Sequence, residues 1–445
     1  MNKKLVILGG GESGIGAALL AKQNGYHVVL MDESSLKDVY RNELNAASIS
    51  FFENGIDEEM LMQADEVVKS PGIPENNEWI KKLRGKNIPI IGEIELAYRY
   101  KGKSKIIAIT GSNGKSTTTA LIYHICKHAG LNCALVGNIG YSFAKQIAEN
   151  PKELYVAEIS SFQLDDIVSF RPDVALLLNI TEDHLDRYEY KFEKYIASKF
   201  RITMNQTRDD YFIYNLDDEV INKYLKGNQI NSQQLAFSMK QTVENGGYIS
   251  NNEMHVAVKN EHQQMSIYDF ALKGKHNQSN TMAACVTGAT MDIRKERIRE
   301  AVQTFENLEH RMEAVATVRG VDYINDSKAT NVNSAWFALE SVSKPTVLIL
   351  GGVDKGNDYA LLKDLVQEKV KAIICMGTDN KKIHESFAGM VKLVDTASAH
   401  DAVQAAYALS IPGDVVLLSP ACASFDLFKN YEDRGRQFKE AVKDL

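Results

Sequence analysis

Short apolar segments that alternate with helical patterns recur along the chain, and this rhythm limits the folds open to it. In the first 90 residues, strand-like runs such as KLVILG, HVVLMD and IPIIG are separated by helical stretches. A second alternation contains LYVAEIS and VALLLNI, and a third contains VDYIND, PTVLILGG, AIICMG, VKLVD and VVLLSP. Strands separated by helical crossovers favour parallel sheets with helices on both faces. The sequence therefore predicts an α/β protein.

The length of the chain and its three alternations predict three domains. A chain of 445 residues exceeds what a single hydrophobic core usually supports. We expect boundaries near residues 93 and 305, which gives domains 1–93, 94–305 and 306–445. Residues 207–273 differ, because alternating segments such as MHVAVK and a turn at Asn245-Gly246-Gly247 predict an antiparallel β patch on the central sheet.

Charge and cysteine usage exclude several kinds of partner. The 51 Lys and Arg residues against 58 Asp and Glu residues give a net charge of −7, and no basic stripe suits nucleic acid. No segment approaches the roughly 20 apolar residues that span a bilayer, and the apolar run Leu5 to Leu8 is short for a signal peptide. The five cysteines are scattered without CxxC spacing. We therefore expect a reduced, cytoplasmic enzyme that does not insert into membranes, and a monomer because no apolar docking helix is evident.

The first glycine loop, GGGESGIG at residues 9–16, satisfies G-x-G-x-x-G directly after a predicted strand. Asp32 closes the next strand, where an acid meets a ribose hydroxyl in dinucleotide-binding folds. The pattern alone leaves three interpretations open: NAD or FAD, another nucleotide or sugar diphosphate, and a tight turn without a ligand.

The second glycine loop, TGSNGKST, ends in the GK[ST] of a P-loop. In such loops backbone N–H groups at a helix N-terminus hold phosphate oxygens, the lysine reaches the terminal phosphates and the hydroxyl joins Mg²⁺. The usual pattern has four residues between the glycines, whereas only Ser112 and Asn113 separate Gly111 from Gly114. We interpret the loop as a shortened phosphate loop, with an ordinary turn as the alternative.

Six motifs together resemble the Mur ligases of bacterial cell-wall synthesis: TGSNGKST, EISSFQL, NITEDHLDRY, HRME, NDSKATN and LSPACASFD. The shortened P-loop is that family's own form, and the resemblance spans all three predicted domains. EISSFQL, INDSKATN and LSPACASFD resemble the branch that adds D-glutamate. The resemblance implies an N-terminal Rossmann-like UDP-binding domain, a central P-loop ATPase-like domain and a C-terminal Rossmann-like domain that binds the amino acid.

The resemblance also implies an activity and its substrates. ATP phosphorylates the carboxylate of UDP-N-acetylmuramoyl-L-alanine to an acyl phosphate, and D-glutamate attacks it through a tetrahedral intermediate to form an amide. Residues implied for the UDP-sugar are Ser13, Gly14, Asp32, Ser70, Pro71, Gly72, Asn138 and Gln163. Residues implied for ATP are Gly111, Ser112, Asn113, Gly114, Lys115, Ser116, Thr117, Asn277, Arg311 and Asp326. Residues implied for D-glutamate are Lys328, Thr330, Lys355, Ser424, Phe425 and Tyr431.

Phosphoryl transfer requires cations around the γ-phosphate and acids that hold them. The resemblance implies Lys115, His184 and Lys199 as catalytic residues. It implies Mg²⁺, with two sites expected, on ligands Ser116, Glu158, His184 and Lys199. Lys199 would act as a CO₂-derived carbamate, which turns a cation that repels Mg²⁺ into an anion that binds it. Taken alone, a strand-end glutamate, a loop histidine and a helix lysine are ordinary solvated residues.

Three alternatives stay open beside this interpretation. The first is another member of the superfamily, a folylpolyglutamate-type ligase or a sister Mur ligase. The GGGESGIG domain argues against the folate branch, and SPACASFD argues against the sisters. The second is a dinucleotide-dependent oxidoreductase, which leaves the second glycine loop without a use. The third is a non-catalytic UDP-sugar-binding protein.

Overall fold

The computed structural model describes residues 3–306, 308–354 and 356–445. Within these ranges the strands form three sheets, of five, nine and six strands. Each predicted strand–helix alternation corresponds to one sheet, so the predicted α/β fold class is confirmed. Lys355, which was predicted to bind D-glutamate, lies outside the described residues.

The chain divides into two compact units. One comprises Met1–Phe270 and Ser279–Phe305, and the other comprises Ala271–Gln278 and Glu306–Leu445. The first unit contains the first two sheets and the second unit contains the third. Residues 271–278 group with the second unit, although they belong to the predicted domain 94–305. The domain boundaries at 93 and 305 stay predictions.

The N-terminal sheet is parallel, in the order β3-β2-β1-β4-β5. Its strands are β1 Lys4–Leu8, β2 His27–Met31, β3 Ser50–Phe52, β4 Glu66–Lys69 and β5 Ile90–Gly92. Its helices are α1 Glu12–Gln23, α2 Asp38–Ala46, α3 Glu58–Leu61, α4 Glu78–Gly85 and α5 Glu93–Tyr100. The central strands are buried on both faces at the apolar residues Leu5 to Leu8 of β1 and at Val67 and Val68 of β4, as parallel sheets with helices on both sides require.

The central sheet has the order β14-β13-β12-β11-β10-β9-β6-β8-β7. Its strands are β6 Lys105–Thr110, β7 Cys133–Gly137, β8 Leu154–Glu158, β9 Val174–Leu177, β10 Tyr211–Asn215, β11 Gln233–Ser238, β12 Gly246–Ser250, β13 Glu253–Val258 and β14 Glu261–Ser266. Its helices are α6 Lys115–His128, α7 Phe143–Glu149, α8 Ser161–Asp165, α9 Phe192–Phe200, α10 Glu219–Gly227, α11 Lys275–Thr290 and α12 Lys295–Thr304. Because β6, β8 and β9 are neighbours and parallel, their carboxyl ends meet at one edge.

The predicted antiparallel patch exists, but its predicted extent was too broad. Only β12, β13 and β14 pair antiparallel, whereas β10 and β11 continue the parallel sheet through the crossover helix α10. The predicted turn at 245–247 was also wrong, since β12 begins at Gly246. The turn that joins β12 to β13 is at Asn251 and Asn252, both with positive φ, as a two-residue hairpin loop requires.

The C-terminal sheet has the order β15-β16-β20-β17-β18-β19. Its strands are β15 Glu313–Val318, β16 Val321–Asn325, β17 Thr346–Leu350, β18 Val370–Met376, β19 Lys392–Thr396 and β20 Val415–Leu418. Its helices are α13 Val332–Ser341, α14 Lys363–Lys369, α15 Lys381–Phe387, α16 Ala399–Leu409 and α17 Tyr431–Lys443. All strand pairs in this sheet are parallel except β15 with β16, which is antiparallel. The edge strand β15 is half-exposed, and the sequence analysis did not predict it. Among the described helices, none combines the length and apolarity needed to cross a bilayer.

Candidate active site

The shortened glycine loop lies between β6 and the first turn of α6, the position that a phosphate loop occupies between a strand and a helix. Gly111 has φ +155° and Gly114 has φ +80°, in the region that favours glycine. A Cβ on Gly114 would lie 2.5 Å from Oδ1 of Asn280, so that side chain packs directly on the loop. Lys115, Ser116 and Thr117 form the first turn of α6, whose N–H groups suit an anion.

Hydrogen bonds fix the two residues between the glycines. The Ser112 hydroxyl donates to the Thr181 carbonyl at 2.9 Å. The Asn113 backbone N–H donates to Oδ1 of Asn179 at 2.8 Å, and the Asn179 amide donates back to the Asn113 carbonyl at 3.0 Å. The loop is therefore held against the segment that follows β9, and its shape does not depend on α6 alone.

Two lysines converge on this loop. Lys115 Nζ donates to the carbonyls of Gly111 and Ser112, each at 2.8 Å. Lys199 on α9 is fully buried, and its Nζ donates to the same Gly111 carbonyl at 2.8 Å. Its ammonium also lies 4.6 Å from the centroid of the Tyr195 ring, whose hydroxyl is 3.1 Å from Ser112 Oγ. Burial and the charge of Lys115 hold the pKa of Lys199 well below its usual range.

Glu158 ends β8 at the same edge of the sheet and offers an oxygen to a cation. Its Oε1 accepts a hydrogen bond from the Asn138 amide at 2.8 Å. Within the described ranges, its other oxygen, Oε2, is buried and has no hydrogen-bond partner. A buried, unpaired carboxylate oxygen is costly unless a cation or water meets it. The donor set therefore fits Mg²⁺, which prefers oxygen ligands.

His184 follows β9 on an exposed loop and has φ +54°. Its ring packs against Phe162 at a steep angle, with centroids 5.1 Å apart, and its Nε2 lies 3.5 Å from the Asp183 carboxylate. Ser116, by contrast, is buried in α6. The loop position leaves the imidazole accessible to a ligand.

A small cavity lies beside the first glycine loop. Its volume is about 130 Å³, and its walls are Leu8, Gly9, Met31, Asp32, Glu33, Ser34, Ile56, Ile73, Asn77 and Trp79. Asp32 accepts hydrogen bonds from the backbone N–H groups of Gly10 and Ser34, at 2.6 and 2.7 Å. Trp79 donates from its indole N–H to Glu33 at 2.9 Å. An aromatic face and oriented acids suit a nucleoside, and sequence reasoning missed Trp79 because it lies far from the glycine motif.

The remaining residues of the first loop region explain its glycines and its SPG motif. A Cβ on Gly14 would lie 1.9 Å from the Gly9 carbonyl oxygen, so only glycine fits at this position of α1, beside Ser13. The Ser70 hydroxyl donates to the same carbonyl at 3.3 Å. The structure thus places Ser70 next to the glycine loop, and its role at a UDP-sugar stays a prediction.

Arg187 connects the SPG segment to the loop that carries His184. Its guanidinium donates to the carbonyls of Pro71 and Gly72, at 3.1 and 3.2 Å. The guanidinium carbon also lies 4.3 Å from the centroid of the Phe162 ring. Sequence reasoning missed Arg187, although it lies within the NITEDHLDRY motif.

Gln163, predicted to face the UDP-sugar, has a local role in the structure. Its Oε1 accepts hydrogen bonds from the backbone N–H and the hydroxyl of Ser160, and closes a capping box at the start of α8. This box fixes the turn that follows β8.

In the second unit, two of the residues predicted to bind the amino acid, Lys328 and Tyr431, meet at the start of α17. Lys328 Nζ lies 3.8 Å from the centroid of the Tyr431 ring. Thr330 is half-buried two residues further on. Ser424 is buried, whereas Phe425 is 70% exposed and so offers an apolar surface to a ligand.

Arg434, a buried cation on α17, organises this region and was missed from the sequence. Its guanidinium donates to the hydroxyl and carbonyl of Ser327, at 3.0 and 2.8 Å, and to the Cys422 carbonyl at 3.2 Å. Burial lowers the pKa of Arg434 to about 10. The arginine therefore joins the NDSKATN and SPACASFD motifs through their backbones.

The residues predicted for the ATP side of the second unit lie apart in the sequence. Asp326 is buried and accepts a hydrogen bond from the Ser419 hydroxyl at 2.9 Å. The Asn277 amide donates to the Lys273 carbonyl at 2.9 Å in the first turn of α11. Burial, with a smaller effect from the charge of Arg311, lowers the pKa of the neighbouring His276 to about 4.

The fold and the two glycine loops define the class: an α/β protein with three sheets, in which a glycine loop joins a strand to a helix in each of the first two. Three family descriptions match the sequence. The Mur ligase MurD-like N-terminal domain matches residues 3–92, the Mur ligase middle domain matches 109–288, and the Mur ligase glutamate ligase domain matches 310–422. The chain belongs to the Mur ligase family.

Full-length relatives carry one name. The chain is 54% identical over 446 residues to a protein of Christiangramia forsetii named UDP-N-acetylmuramoylalanine–D-glutamate ligase, with all of both chains covered. Proteins of the same name from Bacteroides fragilis and Chlorobium chlorochromatii are 50% and 39% identical, with 100% of this chain covered and 100% and 99% of theirs.

Solved structures support the fold at lower identity. A pseudomurein peptide ligase type C from Methanothermus fervidus has a TM-score of 0.63 at 19% identity, with both chains fully covered. The UDP-N-acetylmuramate-alanine ligase MurC from Thermotoga maritima has a TM-score of 0.62 at 17% identity, again over both full chains.

Proposed function

We propose that this chain is an ATP-dependent ligase that joins D-glutamate to UDP-N-acetylmuramoyl-L-alanine in peptidoglycan precursor synthesis. The relatives at 54%, 50% and 39% identity carry the name of this activity over their full length. The observation in the structure that carries the proposal is the phosphate loop 111–114, held by Lys115, at the end of the strand that pairs with β8. Glu158 ends β8, and its Oε2 is buried and unpaired within the described chain. This pairing suits a nucleotide whose terminal phosphate is transferred.

The reaction needs an activated carboxylate, because a carboxylate oxygen is a poor leaving group. Phosphoryl transfer from ATP to the L-alanine carboxylate releases ADP and gives an acyl phosphate. The D-glutamate amine adds to its carbonyl carbon and loses a proton, and the tetrahedral intermediate expels phosphate to leave the amide. Lys115 and the N–H groups of α6 hold the charge of the phosphates. Such catalysis consists mainly of positioning and charge stabilisation, which a rigid loop provides.

Mg²⁺ would neutralise developing phosphate charge when bound. Glu158, His184 and Ser116 are the residues proposed to hold it, and Asn138 orients Glu158 through its hydrogen bond. We also propose that Lys199 becomes a carbamate. Because burial lowers the pKa of Lys199, its amine is more often neutral, and the neutral amine is the form that adds to CO₂.

The substrates would bind at three places. The cavity beside Asp32 and Trp79 is proposed for the uridine, with Ser13, Gly14 and the SPG segment at the diphosphate. Lys328 and Tyr431, with Thr330, Lys355, Ser424 and Phe425, are proposed for D-glutamate, whose two carboxylates need a cation. Asn277, Arg311 and Asp326 are proposed for the ATP side. The proposal includes a cytoplasmic location and a monomer.

Phosphate release tests this function. The purified chain is incubated with ATP, Mg²⁺ and UDP-N-acetylmuramoyl-L-alanine, and with D-glutamate, L-glutamate, L-lysine or diaminopimelate in turn. We expect turnover with D-glutamate alone. Turnover with L-lysine or diaminopimelate instead would overturn the assigned substrate, and phosphate release without any amino acid would overturn the ligase.

A variant at the phosphate loop, compared with a control variant on the same helix, tests whether the reaction takes place at this loop. Lys115→Ala should reduce turnover by about 100-fold or more, because it removes a charge aimed at the transferred phosphate. Lys127→Ala, at the exposed end of the same helix, should retain activity. Bicarbonate-depleted buffer should lower wild-type activity, and its restoration by added bicarbonate would support a carbamate on Lys199. Full activity of Lys199→Ala would contradict it.

A further inference from the structure

We propose that Cys375, His384 and Asp395 in the C-terminal sheet form a binding site for a zinc-like divalent cation. The Cys375 sulfur, a His384 ring nitrogen and an Asp395 carboxylate oxygen all lie within 4.8 Å of one another. The ligase reaction assigns no role to these residues, so the inference does not depend on the proposed function.

The topology explains why these three residues meet. Cys375 and Asp395 are register partners on the parallel strands β18 and β19, so their side chains lie on the same face of the sheet. His384 is on α15, the crossover helix that joins the two strands. The helix returns over this face and brings its imidazole to the pair. Each donor therefore sits on a regular element, which is a more exact support than a loop.

The spacing of the donors is close to that of ligands around one ion. Nε2 of His384 lies 3.0 Å from each Asp395 oxygen. Ligand bonds of about 2.0 Å at a tetrahedral ion put neighbouring donor atoms about 3.3 Å apart. A small outward movement of the two exposed side chains would admit the ion.

A neighbouring amide supports the arrangement. The Asn380 side chain donates to Oδ1 of Asp395 at 2.9 Å and to the Cys375 carbonyl at 3.2 Å. It thereby fixes the carboxylate relative to the strand that carries the thiol. In known metal sites, hydrogen bonds of this kind orient the side chains that bind the ion directly.

The chemistry of the donors selects the cation. A thiolate, an imidazole and a carboxylate suit Zn²⁺, whereas Mg²⁺ prefers oxygen ligands alone. Three protein ligands leave a fourth position for water, on the side where His384 and Asp395 are partly exposed. Burial, together with the Asp395 carboxylate, raises the pKa of the Cys375 thiol to about 12. A cation between the donors would reverse this effect and release the thiol proton.

Metal binding to the full-length, untagged chain tests the site. The chain is freed of metal with a chelator and dialysed against Zn²⁺ in the presence of excess Mg²⁺, which competes for sites made of oxygen alone. We expect wild type to retain about one more Zn²⁺ per chain than Cys375→Ser, His384→Ala or Asp395→Asn. Co²⁺ in place of Zn²⁺ should give a thiolate-to-cobalt absorption band that Cys375→Ser lacks.

Two control variants separate this site from general metal binding. Cys285→Ser removes a buried thiol in the first unit, and His400→Ala removes a histidine that lies 3.8 Å from Asp401 in the same sheet domain. Both should bind Zn²⁺ as wild type does. Equal Zn²⁺ in wild type and His384→Ala would overturn the proposal, and His384 is partly exposed, so this variant should fold even if Cys375→Ser does not. These readouts do not use ligase activity, so they stand if the proposed function fails.

Discussion

Lys115 and Lys199 donate hydrogen bonds from their Nζ atoms to one acceptor, the Gly111 carbonyl oxygen, each at 2.8 Å. Two full positive charges this close repel, and Lys199 is the one that is completely buried. Burial and the charge of Lys115 accordingly lower the pKa of Lys199. The arrangement favours the neutral amine of Lys199 beside the charged Lys115, and it costs stability because the unfolded chain keeps Lys199 protonated.

Replacing Lys199 should therefore raise stability while it removes activity. In CO₂-free buffer, Lys199→Met should increase the free energy of unfolding at pH 7. The unfolded chain binds the proton at an ordinary pKa of about 10.4, so the gain should shrink as the pH approaches that value. Urea unfolding at pH 7 and pH 10 measures this. Lys194→Met, a half-exposed position on the same helix, should change little, and a loss of stability in Lys199→Met would contradict the argument.

Glu93 and Glu95, two buried residues of α5, should respond oppositely to neutralisation. Burial alone would raise the pKa of Glu95, but hydrogen bonds from Ser169 and from the backbone N–H groups of Val168 and Phe170 outweigh it and lower the pKa. Its stabilising effect is present above the unfolded pKa and is lost as the pH falls through the folded pKa. Glu95→Gln should cost about 1.5–3 kcal/mol at pH 7.

The matched variant is Glu93→Gln. Burial raises the pKa of Glu93, although Ser142 and Ala144 donate to its Oε1 at 2.6 Å. Ionisation of Glu93 therefore opposes folding at neutral pH. Glutamine keeps the side-chain oxygen that accepts from Ser142 and Ala144, so Glu93→Gln should be at least as stable as wild type. Thermal unfolding compares both variants, and equal losses of stability would refute the distinction.

Asp326 should make stability fall with rising pH. Burial raises its pKa to about 7, against hydrogen bonds from Ser419 and from the Met312 N–H that lower it. The unfolded carboxyl ionises near pH 3.9, so the folded state loses up to about 4 kcal/mol between pH 4 and pH 7, and the penalty is constant above that. In Asp326→Asn the amide oxygen can still accept from the Met312 N–H while the amide NH₂ donates to the Ser419 hydroxyl, and this variant should remove the slope. Denaturation across the range checks it, with Asp322→Asn as the control, because Asp322 is partly exposed and Lys344 lowers its pKa.

Hydrophobic runs and glycine spacing in the sequence predicted correctly those features that depend on residues close together in the chain. The strands β6, β8 and β9 are apolar on both faces because helices cover both sides of the sheet, and the glycines of loop 111–114 are set by backbone geometry. The strands β10 and β11 were misassigned because their polar edges resemble a hairpin more than a crossover.

Residues that act through contacts distant in sequence were the ones missed. Trp79 meets Glu33 across 46 residues, Arg187 meets Gly72 across 115, and Arg434 meets Ser327 across 107. A periodic pattern carries no signal for such pairs. Asn280 lies only three residues after Asn277, but it packs on Gly114 because of how α11 is positioned against the loop, which the sequence does not show.

Trp79 should report directly on nucleoside binding. The chain has two tryptophans, and Trp336 lies in the C-terminal unit, so Trp336→Phe leaves Trp79 as the single reporter. UDP should quench its fluorescence, because a stacked uracil meets the indole face, and ATP at the same concentration should not. Trp79→Ala should weaken UDP binding in calorimetry by about 10-fold, from an aromatic contact of about 0.5–1.5 kcal/mol. A fluorescence that is insensitive to UDP would remove Trp79 from the site.

Arg187 should couple the UDP-sugar loop to the catalytic loop. It holds the carbonyls of Pro71 and Gly72 while it stacks on Phe162, whose ring packs against that of His184. Lysine cannot reproduce the planar fork that reaches two carbonyls and a ring together. Arg187→Lys should therefore raise KM for the UDP-sugar and lower kcat, each by about 10-fold, while KM for D-glutamate stays constant. Arg84→Lys, which changes an exposed arginine of the same unit, is the control. A residue that aligns two substrate-binding loops must affect the step in which their ligands react. If Arg187→Lys changed only the melting temperature and left kcat and KM unchanged, the role of Arg187 would be limited to stabilising the fold.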